Sequence, residues 1–338
     1  MKLLLTADLH IKNQENLSLL QRIIDTAKED GCKAILIGGD LLDSPFPDEQ
    51  TERALLSMLE GAGLPILMVA GNHDPLDLTD CYGKLPENVK IFQETLSSLS
   101  LGEGVEVYGF SDTRGGKARH FSKAVATDGS GVKILMAHGQ PDGADGSYFP
   151  ISTAAVAESG FSLALLGHVH KWEQRTVGGC RILLPGIPEG RGWDETGERF
   201  IWIAEVRDGA IELSPKKIAI KTYMEYEVDL TDCEEEQALA RMEAQEIPAA
   251  TEARLILIGA PAADPDPAIR LYTEKYGRAV KDCTEQASSM ALLMKQNTLQ
   301  GAFARRAMAE IEQAEGEERA LLEEALRLGL RALKGGRR

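Results

Sequence analysis

The sequence lacks the features that would place a protein in a membrane or in an oxidising compartment. No apolar run among its 338 residues approaches the roughly 20 residues that a transmembrane helix needs. The opening stretch MKLLLTADLH becomes acidic too early for a signal peptide and predicts a first strand instead. The 5 cysteines are scattered and form no C-x-x-C pair, which argues against a disulfide framework or a thiolate zinc site. We therefore expect a cytoplasmic protein with no membrane contact, whose cysteines are small buried apolar residues.

Basic and aromatic residues are also in the minority. Lys and Arg total 37 against 53 Asp and Glu, the formal net charge is -16, and aromatics make up 5% of the chain. A protein that works alone on nucleic acid is more often basic. No basic stripe with interleaved aromatics is present, and only Lys117, Arg119, Arg191 and Trp193 are scattered candidates for such contacts. An acidic chain can still act on phosphodiesters if metal ions supply positive charge or a partner supplies a basic surface.

The sequence does contain a repeating pattern of apolar runs that end in polar residues. The first three of these runs are separated by two segments whose apolar residues have helical spacing, QRIIDTAKEDG and TERALLSMLEGAG. The runs are continuous rather than alternating, which indicates strands of an α/β sheet covered on both faces. They are KLLLTADLH, KAILIGGD, PILMVAGNHD, VKILMAHG and SLALLGHVH.

The spacing of the polar residues predicts that they meet. Asp8 and Asp40 are 32 residues apart, Asp40 and Asn72 are again 32 apart, and His138 and His168 are 30 apart. A βαβ unit takes roughly 30 residues. One polar group therefore follows each strand, at the edge where open α/β sheets bind their ligands.

The histidines support a shared metal centre. The chain has 6 histidines, and all except His120 lie at these strand ends. If the last apolar run continued as a strand, His168 and His170 would project to the same side of the sheet. We interpret His120, in a polar stretch, as an ordinary surface residue.

Seven side chains are candidate ligands, too many for one ion and suited to two. Imidazole, carboxylate and amide ligands without thiolate favour Mn, Fe or Zn over Ca; we expect Mn, with Fe, Zn or Mg as alternatives. Asp40, on the middle strand, is the expected bridge, and two ions could activate a bridging hydroxide without a Ser or Cys nucleophile. The candidate ligands are Asp8, His10, Asp40, Asn72, His138, His168 and His170.

Two further residues are candidates for catalysis. His73 directly follows the ligand Asn72, so its side chain should point elsewhere, where it could contact a phosphate oxygen or protonate the leaving alkoxide. Asp43 could orient that imidazole. The alternative for Asp43 is an N-cap of the following helix.

The motifs DLH, GDLLD, GNHD, AHG and GHVH, in this order, resemble the calcineurin-like metallophosphoesterase superfamily over roughly residues 1–205. The resemblance implies a sandwich of two mixed β-sheets flanked by helices, with a two-metal site at one edge and His73 as the catalytic histidine. It assigns one metal to Asp8, His10, Asp40 and His170. It assigns the other metal to Asp40, Asn72, His138 and His168.

Further segments resemble the SbcD branch of this superfamily. They are GDLLDSPFPDEQT, YFPIS and LLPGIPEGRGWDETGERFIWIAEV. This resemblance implies a DNA exonuclease or endonuclease that acts in DNA repair with an SbcC-like coiled-coil ATPase. The chain is short for that branch, and some relatives have His at the position of Asp43. A generic phosphodiesterase for small nucleotides or other phosphoesters is the alternative, whereas a non-enzymatic scaffold is disfavoured because all seven ligands are present.

We predict a nuclease domain at residues 1–217, followed by two smaller parts. Residues 218–290 follow a βαβαβ order, which resembles the small α/β capping domain beside the active site of SbcD-like nucleases, with an accessory domain as the alternative. In residues 291–338, apolar residues at helical spacing predict two helices with a hinge near Gly316. Their apolar stripes, which include Leu326, Leu330 and Leu333, would grip the coiled coil of the ATPase, or pack on each other or on the chain itself. A homodimer is a further candidate for a partner.

Overall fold

The computed structural model describes residues 1–44, 48–75, 85–111, 131–144, 148–284, 290, 293–294 and 297–334. The expectations for Cys81, Lys117, Arg119 and His120 concern residues outside these ranges. Internal contacts divide the chain into two units, Met1–Tyr223 and Met224–Arg338. The proposed boundaries at residues 217 and 290 stay predictions.

The first unit alternates strands with a few helices. Its helices are α1 (Gln14–Glu29), α2 (Glu49–Gly61) and α3 (Thr153–Glu158). Its first six strands are β1 (Lys2–Thr6), β2 (Ala34–Ile37), β3 (Ile66–Val69), β4 (Val89–Phe92), β5 (Ser97–Gly102) and β6 (Val105–Gly109). The next six are β7 (Val132–His138), β8 (Leu163–Gly167), β9 (Glu173–Val177), β10 (Cys180–Leu184), β11 (Ile201–Arg207) and β12 (Ala210–Lys216).

These strands form two six-stranded mixed sheets, as the family resemblance implied. The first sheet has the order β12-β11-β1-β2-β3-β4, with β1 to β4 parallel and β11 antiparallel to both of its neighbours. The second has the order β5-β6-β7-β8-β10-β9, in which the strands from β6 to β10 are parallel and the two edge strands are antiparallel. The carboxyl ends of β1, β2 and β3 therefore share one edge, as do those of β7 and β8.

Both faces of the first sheet are buried, which explains why its strands are apolar without alternation. Leu3 and Leu5 belong to the cluster between the sheets, with Ile134 and Leu165 of the second sheet. Leu4 points the other way, into the cluster with α1 and α2. Each fully buried leucine contributes roughly 1.5–3 kcal/mol relative to an exposed one. Burial on both faces thus holds the strand ends in fixed positions.

The last strand end differs from the sequence-based prediction. β8 ends at Gly167, before the two histidines, and His168 has a φ of 94°. The strand alternation that was expected to point His168 and His170 to one side is therefore wrong, because the chain turns sharply after Gly167. Both histidines lie in the loop that follows β8.

The second unit contains a small α/β part. It comprises β13 (Thr222–Asp229), α4 (Glu235–Glu243), β14 (Thr251–Ile258), α5 (Asp266–Tyr276) and β15 (Ala279–Asp282). The strands form one sheet in the order β13-β14-β15, with β14 and β15 parallel. Its own core contains Val228, Met242, Leu255, Leu257 and Tyr272. The order of elements is the βαβαβ order predicted from the sequence.

Two C-terminal helices, α6 (Leu299–Ile311) and α7 (Gly316–Lys334), pack against each other. Gly329 allows this approach, since a Cβ at that position would overlap the Phe303 ring. Leu326 is buried, whereas Leu299 is 73% exposed. Leu299, the first residue of α6, therefore lies outside the packed face of the pair.

Among the described residues, no helix has both the length and the apolar character needed to cross a bilayer. Cys32, Cys180 and Cys233 are buried free thiols, as expected. Cys283 is exposed instead, because it follows directly after the edge strand β15.

Candidate metal centre

The candidate ligands follow five strands of both sheets. Asp8 lies two residues beyond β1, Asp40 three beyond β2, and Asn72 three beyond β3. His138 is the last residue of β7, and His168 directly follows β8. The centre therefore lies where the carboxyl edges of the two sheets meet.

Several of these residues have a strained backbone. The φ angles of Asp8, His10 and Asp40 are 54°, 46° and 50°, in the left-handed region that non-glycine residues rarely adopt. Such a conformation costs on the order of 1–3 kcal/mol and persists where surrounding contacts enforce it. Here the loops bond to each other: the Asp8 N–H donates to the Gly39 carbonyl at 2.9 Å, and the His10 N–H donates to the Asp40 carbonyl at 3.0 Å.

One group of ligands contains two facing imidazoles. The Nε2 atoms of His10 and His170 are 3.1 Å apart. Together with an Asp8 carboxylate oxygen, they supply three ligand atoms within 4.8 Å of one another. The backbone N–H of His168 donates to Asp8 Oδ1 at 2.9 Å and holds that carboxylate in place.

A second group surrounds Asn72. Its Oδ1 lies 3.1 Å from His138 Nε2 and 3.1 Å from His168 Nδ1. The His138 Nδ1–H donates to the Gly38 carbonyl at 2.9 Å, so Nε2, which faces Asn72, is the nitrogen that a metal ion would bind. These three side chains come from three different strand ends.

Asp40 lies between the two groups. Its Oδ2 is 3.7 Å from His10 Nε2 and 3.4 Å from His138 Nε2, and its Oδ1 accepts the backbone N–H of His73 at 2.9 Å. Gly71 is required beside it, because a Cβ there would overlap the Asp40 carboxylate. Asp40 thus has the position expected of a bridging ligand.

Burial and charge perturb the pKa values of these groups. Burial raises the pKa of Asp8 to about 6 and lowers the pKa values of His10 and His168 to about 4. Burial would also lower the pKa of His138, but the hydrogen-bonded Asp40 carboxylate outweighs it and raises the pKa to about 9. In the absence of metal, Asp40 and His138 therefore form a buried ion pair, and a metal ion would displace the proton of His138.

The donor set fits divalent cations. Three acidic or imidazole side chains, Asp8, Asp40 and His138, are buried together. His10 Nδ1 is buried without a hydrogen-bond partner among the described residues. Nitrogen and oxygen donors without sulfur suit Mn, Fe or Zn. Two positions that share Asp40 match two ions.

His73 lies beside this centre. Its ring centroid is 4.8 Å from that of His10. Its Nδ1–H donates to the main-chain carbonyl of Asp43 at 2.8 Å, and Nε2 has no hydrogen-bond partner among the described residues. The expectation that the Asp43 carboxylate orients this imidazole needs correction, because the carbonyl makes that contact. The alternative role of Asp43 as an N-cap is also wrong, since Asp48 caps α2 through the Thr51 N–H.

Glu195 is a buried carboxylate of the centre that was not predicted from the sequence. Glu195 Oε1 accepts the Nδ1–H of His170 at 2.8 Å, and Arg191 bonds to the same carboxylate. Burial would raise the pKa of Glu195, but the bonds from His170 and Arg191 hold it well below its usual range. Glu195 therefore stays ionised and directs the His170 Nε2 lone pair to the centre. The sequence feature that could have indicated Glu195 is its place four positions after Arg191 in the glycine-containing stretch GRGWDETG.

Two other buried residues support the loops. Asp74 accepts the N–H of Leu42 at 3.0 Å and the N–H of Gly71 at 2.9 Å, which joins the loops that follow β2 and β3. Arg199 Nη1 donates to the His170 carbonyl at 2.6 Å. Neither residue was singled out from the sequence.

Substitution of Glu195 tests this support. Glu195→Ala should weaken metal binding roughly 10–100-fold, because His170 loses the partner that fixes its tautomer and ring orientation. Titration with Mn²⁺ followed by calorimetry measures this change. Glu198→Ala is the matched control, since Glu198 lies in the same segment but is 54% exposed and pairs with Lys217. Equal affinities of the two variants would contradict a supporting role for Glu195.

Buried carboxylates, with imidazoles and an exposed amide beside them at the edge of an α/β sandwich, are typical of a metal-dependent hydrolase. Residues 1–172 match the family model of the calcineurin-like phosphoesterases. Because this segment is half of the 338-residue chain, the chain belongs to that family. The family is one of metal-dependent phosphoester hydrolases.

Two curated relatives are similar to this chain. "Uncharacterized metallophosphoesterase YhaO" of Bacillus subtilis is 27% identical over 239 residues, which are 66% of this chain and 57% of that protein. "DNA double-strand break repair protein Mre11" of Aeropyrum pernix is 24% identical over 187 residues, which are 49% of this chain and 46% of that protein. The chain thus spans about half the length of the curated relatives it matches.

Solved structures provide more distant likenesses. A novel archaeal phosphodiesterase is 14% identical, covering 64% of this chain and 100% of its own, with a TM-score of 0.39. Wild-type Vps29 from Entamoeba histolytica, complexed with zinc, is 15% identical, covering 64% of this chain and 98% of its own, with a TM-score of 0.33. Likenesses this distant do not bear on the activity.

Proposed function

We propose that this protein is a two-metal phosphodiesterase that cleaves DNA, of the SbcD type, and acts in DNA repair with an SbcC-like ATPase. The observation that supports it most is the pair of ligand groups that share Asp40, with His73 beside them and its Nδ1 held by the Asp43 carbonyl. The similarity to an archaeal Mre11 protein supports DNA as the substrate.

The two groups define how the metals would be held. Asp8, His10 and His170 would hold one ion, and Asn72, His138 and His168 the other, with Asp40 between them. When bound, two divalent ions supply positive charge for the phosphate and lower the pKa of water at the centre. We expect Mn²⁺ to support the highest activity.

His73 is the proposed general acid. When its ring is protonated, the Nδ1–H stays on the Asp43 carbonyl and the Nε2–H is available to the leaving oxygen. The short bond to the backbone fixes the direction in which the proton is presented. Asn72, the preceding residue, would hold metal instead, because its Oδ1 lies 3.1 Å from both His138 Nε2 and His168 Nδ1.

A nuclease assay tests the proposed substrate. The protein, loaded with Mn²⁺, should degrade linear DNA duplexes labelled at the 5′ or the 3′ end. The His73→Ala variant, prepared in the same way, should show strongly reduced degradation, which excludes a contaminating nuclease as the source of the activity. Bis-p-nitrophenyl phosphate and cyclic nucleotides are assayed in parallel. If the protein hydrolyses these small substrates but does not cleave the DNA, the result would contradict the proposed nuclease activity and support the alternative, a phosphodiesterase for small nucleotides. The absence of hydrolysis from a two-metal preparation would favour the scaffold.

The C-terminal helix pair is the proposed docking segment for the coiled coil of the ATPase. Leu326 is buried within the pair, and Leu330 and Leu333 are half-buried, so the stripe first expected to contact the partner is in part used internally. Leu321 and Leu328, one heptad apart on α7, are 72% and 55% exposed. These two leucines therefore form the proposed contact, in which an apolar helix face binds a partner helix.

Charge substitutions separate docking from internal packing. Leu328→Glu should abolish co-purification of the ATPase from the native host and leave the melting temperature unchanged, because the side chain is exposed. Leu326→Glu should lower the melting temperature, because it places a charge in a buried position. Retained co-purification in a Leu321→Glu/Leu328→Glu variant would contradict the docking proposal. A change in mass by light scattering would instead place a homodimer contact on this face.

A further inference from the structure

Arg191 contacts two carboxylates at the edge of the metal centre. Its Nη1 donates to Asp43 Oδ1 at 3.1 Å. Its Nη2 donates to Glu195 Oε1 at 2.8 Å, and its backbone N–H donates to Glu195 Oε2 at 2.8 Å. The planar guanidinium thus fixes the distance between a carboxylate of the loop after β2 and one of the segment before β11.

Each of these carboxylates faces the Nδ1 atom of one ligand histidine. Glu195 Oε1 is 2.8 Å from His170 Nδ1, and Asp43 Oδ1 is 3.6 Å from His10 Nδ1. The opposite nitrogens of the two rings, both Nε2, approach each other at 3.1 Å. Arg191 therefore joins the two carboxylates that face the Nδ1 atoms of His10 and His170.

We infer that Arg191 is a positioning residue that sets the metal affinity of the position held by His10 and His170, through Asp43 and Glu195, and leaves the other position unchanged. The inference rests on the proposed two-metal centre. The other position does not share this support, because the Nδ1–H of His138 donates to the backbone carbonyl of Gly38 instead.

The charge of Arg191 is already offset within the protein. Two carboxylates share it, so it is a poor candidate for the free phosphate contact that its place in the sequence first indicated. The small cavity beside it, about 340 Å³, is lined by Lys12 and Asn16 as well as by Asp194. The exposed Lys12 is a better candidate for such a contact.

Removal of Arg191 has two opposing effects on a bound cation. Loss of a positive charge favours the cation, but this side chain is 40% exposed and water screens its charge. Loss of the bridge frees Glu195, which is hydrogen-bonded to His170, and Asp43, whose Oδ1 lies 3.6 Å from His10 Nδ1. Supporting contacts of this kind change metal affinity 10–100-fold. We therefore expect the loss of orientation to dominate and the affinity to fall.

Metal titration of three variants tests the inference. Arg191→Ala should weaken one of two Mn²⁺ sites about 10–100-fold and leave the other within about threefold. Arg191→Lys keeps the charge without the fork and should not restore the site. Arg175→Ala is the matched control, since Arg175 is 39% exposed, also pairs with two carboxylates, and lies on the edge strand β9. It should bind like the wild type.

The spectrum of the bound metal provides a second readout. At two equivalents of Mn²⁺, the electron paramagnetic resonance of the wild type should show a coupled pair, and Arg191→Ala should show an isolated ion. Because Arg191 acts partly through Glu195, the effects of Arg191→Ala and Glu195→Ala should be less than additive in the double variant.

Three results would overturn the inference. Equal weakening of both sites would indicate a general structural role, and tighter binding by Arg191→Ala with normal binding by Arg191→Lys would indicate simple charge repulsion. Unchanged binding by Arg191→Ala, with two ions in the wild type, would remove any role for this residue. A wild type that binds fewer than two ions would instead count against the proposed function itself.

Discussion

Asp40→Ala should reduce the metal content from two ions per chain to less than one after Mn²⁺ loading and dialysis. The reason is the position of the carboxylate, whose Oδ2 lies 3.4 Å from His138 Nε2 and 3.7 Å from His10 Nε2, in separate ligand groups. Removal of a shared ligand weakens both positions at once, whereas removal of His168 should weaken one. Hydrolysis should fall by at least about a thousandfold, because the ions supply the charge and the activated water.

Two controls separate loss of metal from loss of fold. Asp40→Ala also removes the acceptor of the His73 N–H, which leaves a partly buried donor unpaired and costs about 1 kcal/mol. Asp40→Asn keeps that acceptor and should retain the melting temperature more closely while still losing metal. Asp25→Ala, on the exposed side of α1, should bind two ions. Two tightly bound ions in Asp40→Asn would exclude Asp40 as the bridge.

His73→Ala should show the opposite pattern, with both ions retained and the rate reduced by roughly 10²–10⁴-fold, as expected for the loss of a general acid. The ring is held by the Asp43 carbonyl and is not needed to complete either proposed ligand group. Elemental analysis checks the metal content, and single-turnover rates on a labelled duplex check the chemistry. A loss of metal in this variant would place His73 among the ligands, where its proximity to His10 and Asp40 would allow it.

The leaving group provides a sharper test of the same role. A p-nitrophenolate leaves without protonation, whereas a DNA alkoxide requires a proton. His73→Ala should therefore lose much less activity on bis-p-nitrophenyl phosphate than on DNA. Asp43→Asn should affect the rate less than His73→Ala, because the main-chain carbonyl that holds the ring is unchanged. Equal losses on both substrates would assign His73 to phosphate binding rather than proton transfer.

The positions of the strands and of the seven candidate ligands follow from local sequence patterns. Apolar runs ended by polar residues at intervals of about 30 predict parallel strands, and the carboxyl ends of parallel strands share an edge. The close approach of Asp8, Asp40 and His138, which are far apart in the chain, follows from that rule and from the sheet topology. The pairing of the two sheets came from the family resemblance and not from periodicity.

The partners of the candidate residues depend on loop conformation, which no periodic pattern encodes. The sharp turn after Gly167, the carbonyl rather than the carboxylate of Asp43 on His73, and the contact of Glu195 with His170 all arise in irregular segments. A hydrogen bond there depends on side-chain positions to within a few tenths of an ångström, and these are set by contacts across many residues.

The sequence by itself determined the fold class, the edge of the sheets where the centre lies and the chemical types of its ligands, because apolar runs and the polar residues that end them are properties of short segments. Only the tertiary structure decided that Glu195 contacts His170, that Arg191 joins the carboxylates behind His10 and His170, and which leucines of α7 remain exposed. These features depend on distances between segments that are remote in the chain, which packing of the whole sandwich or helix pair establishes.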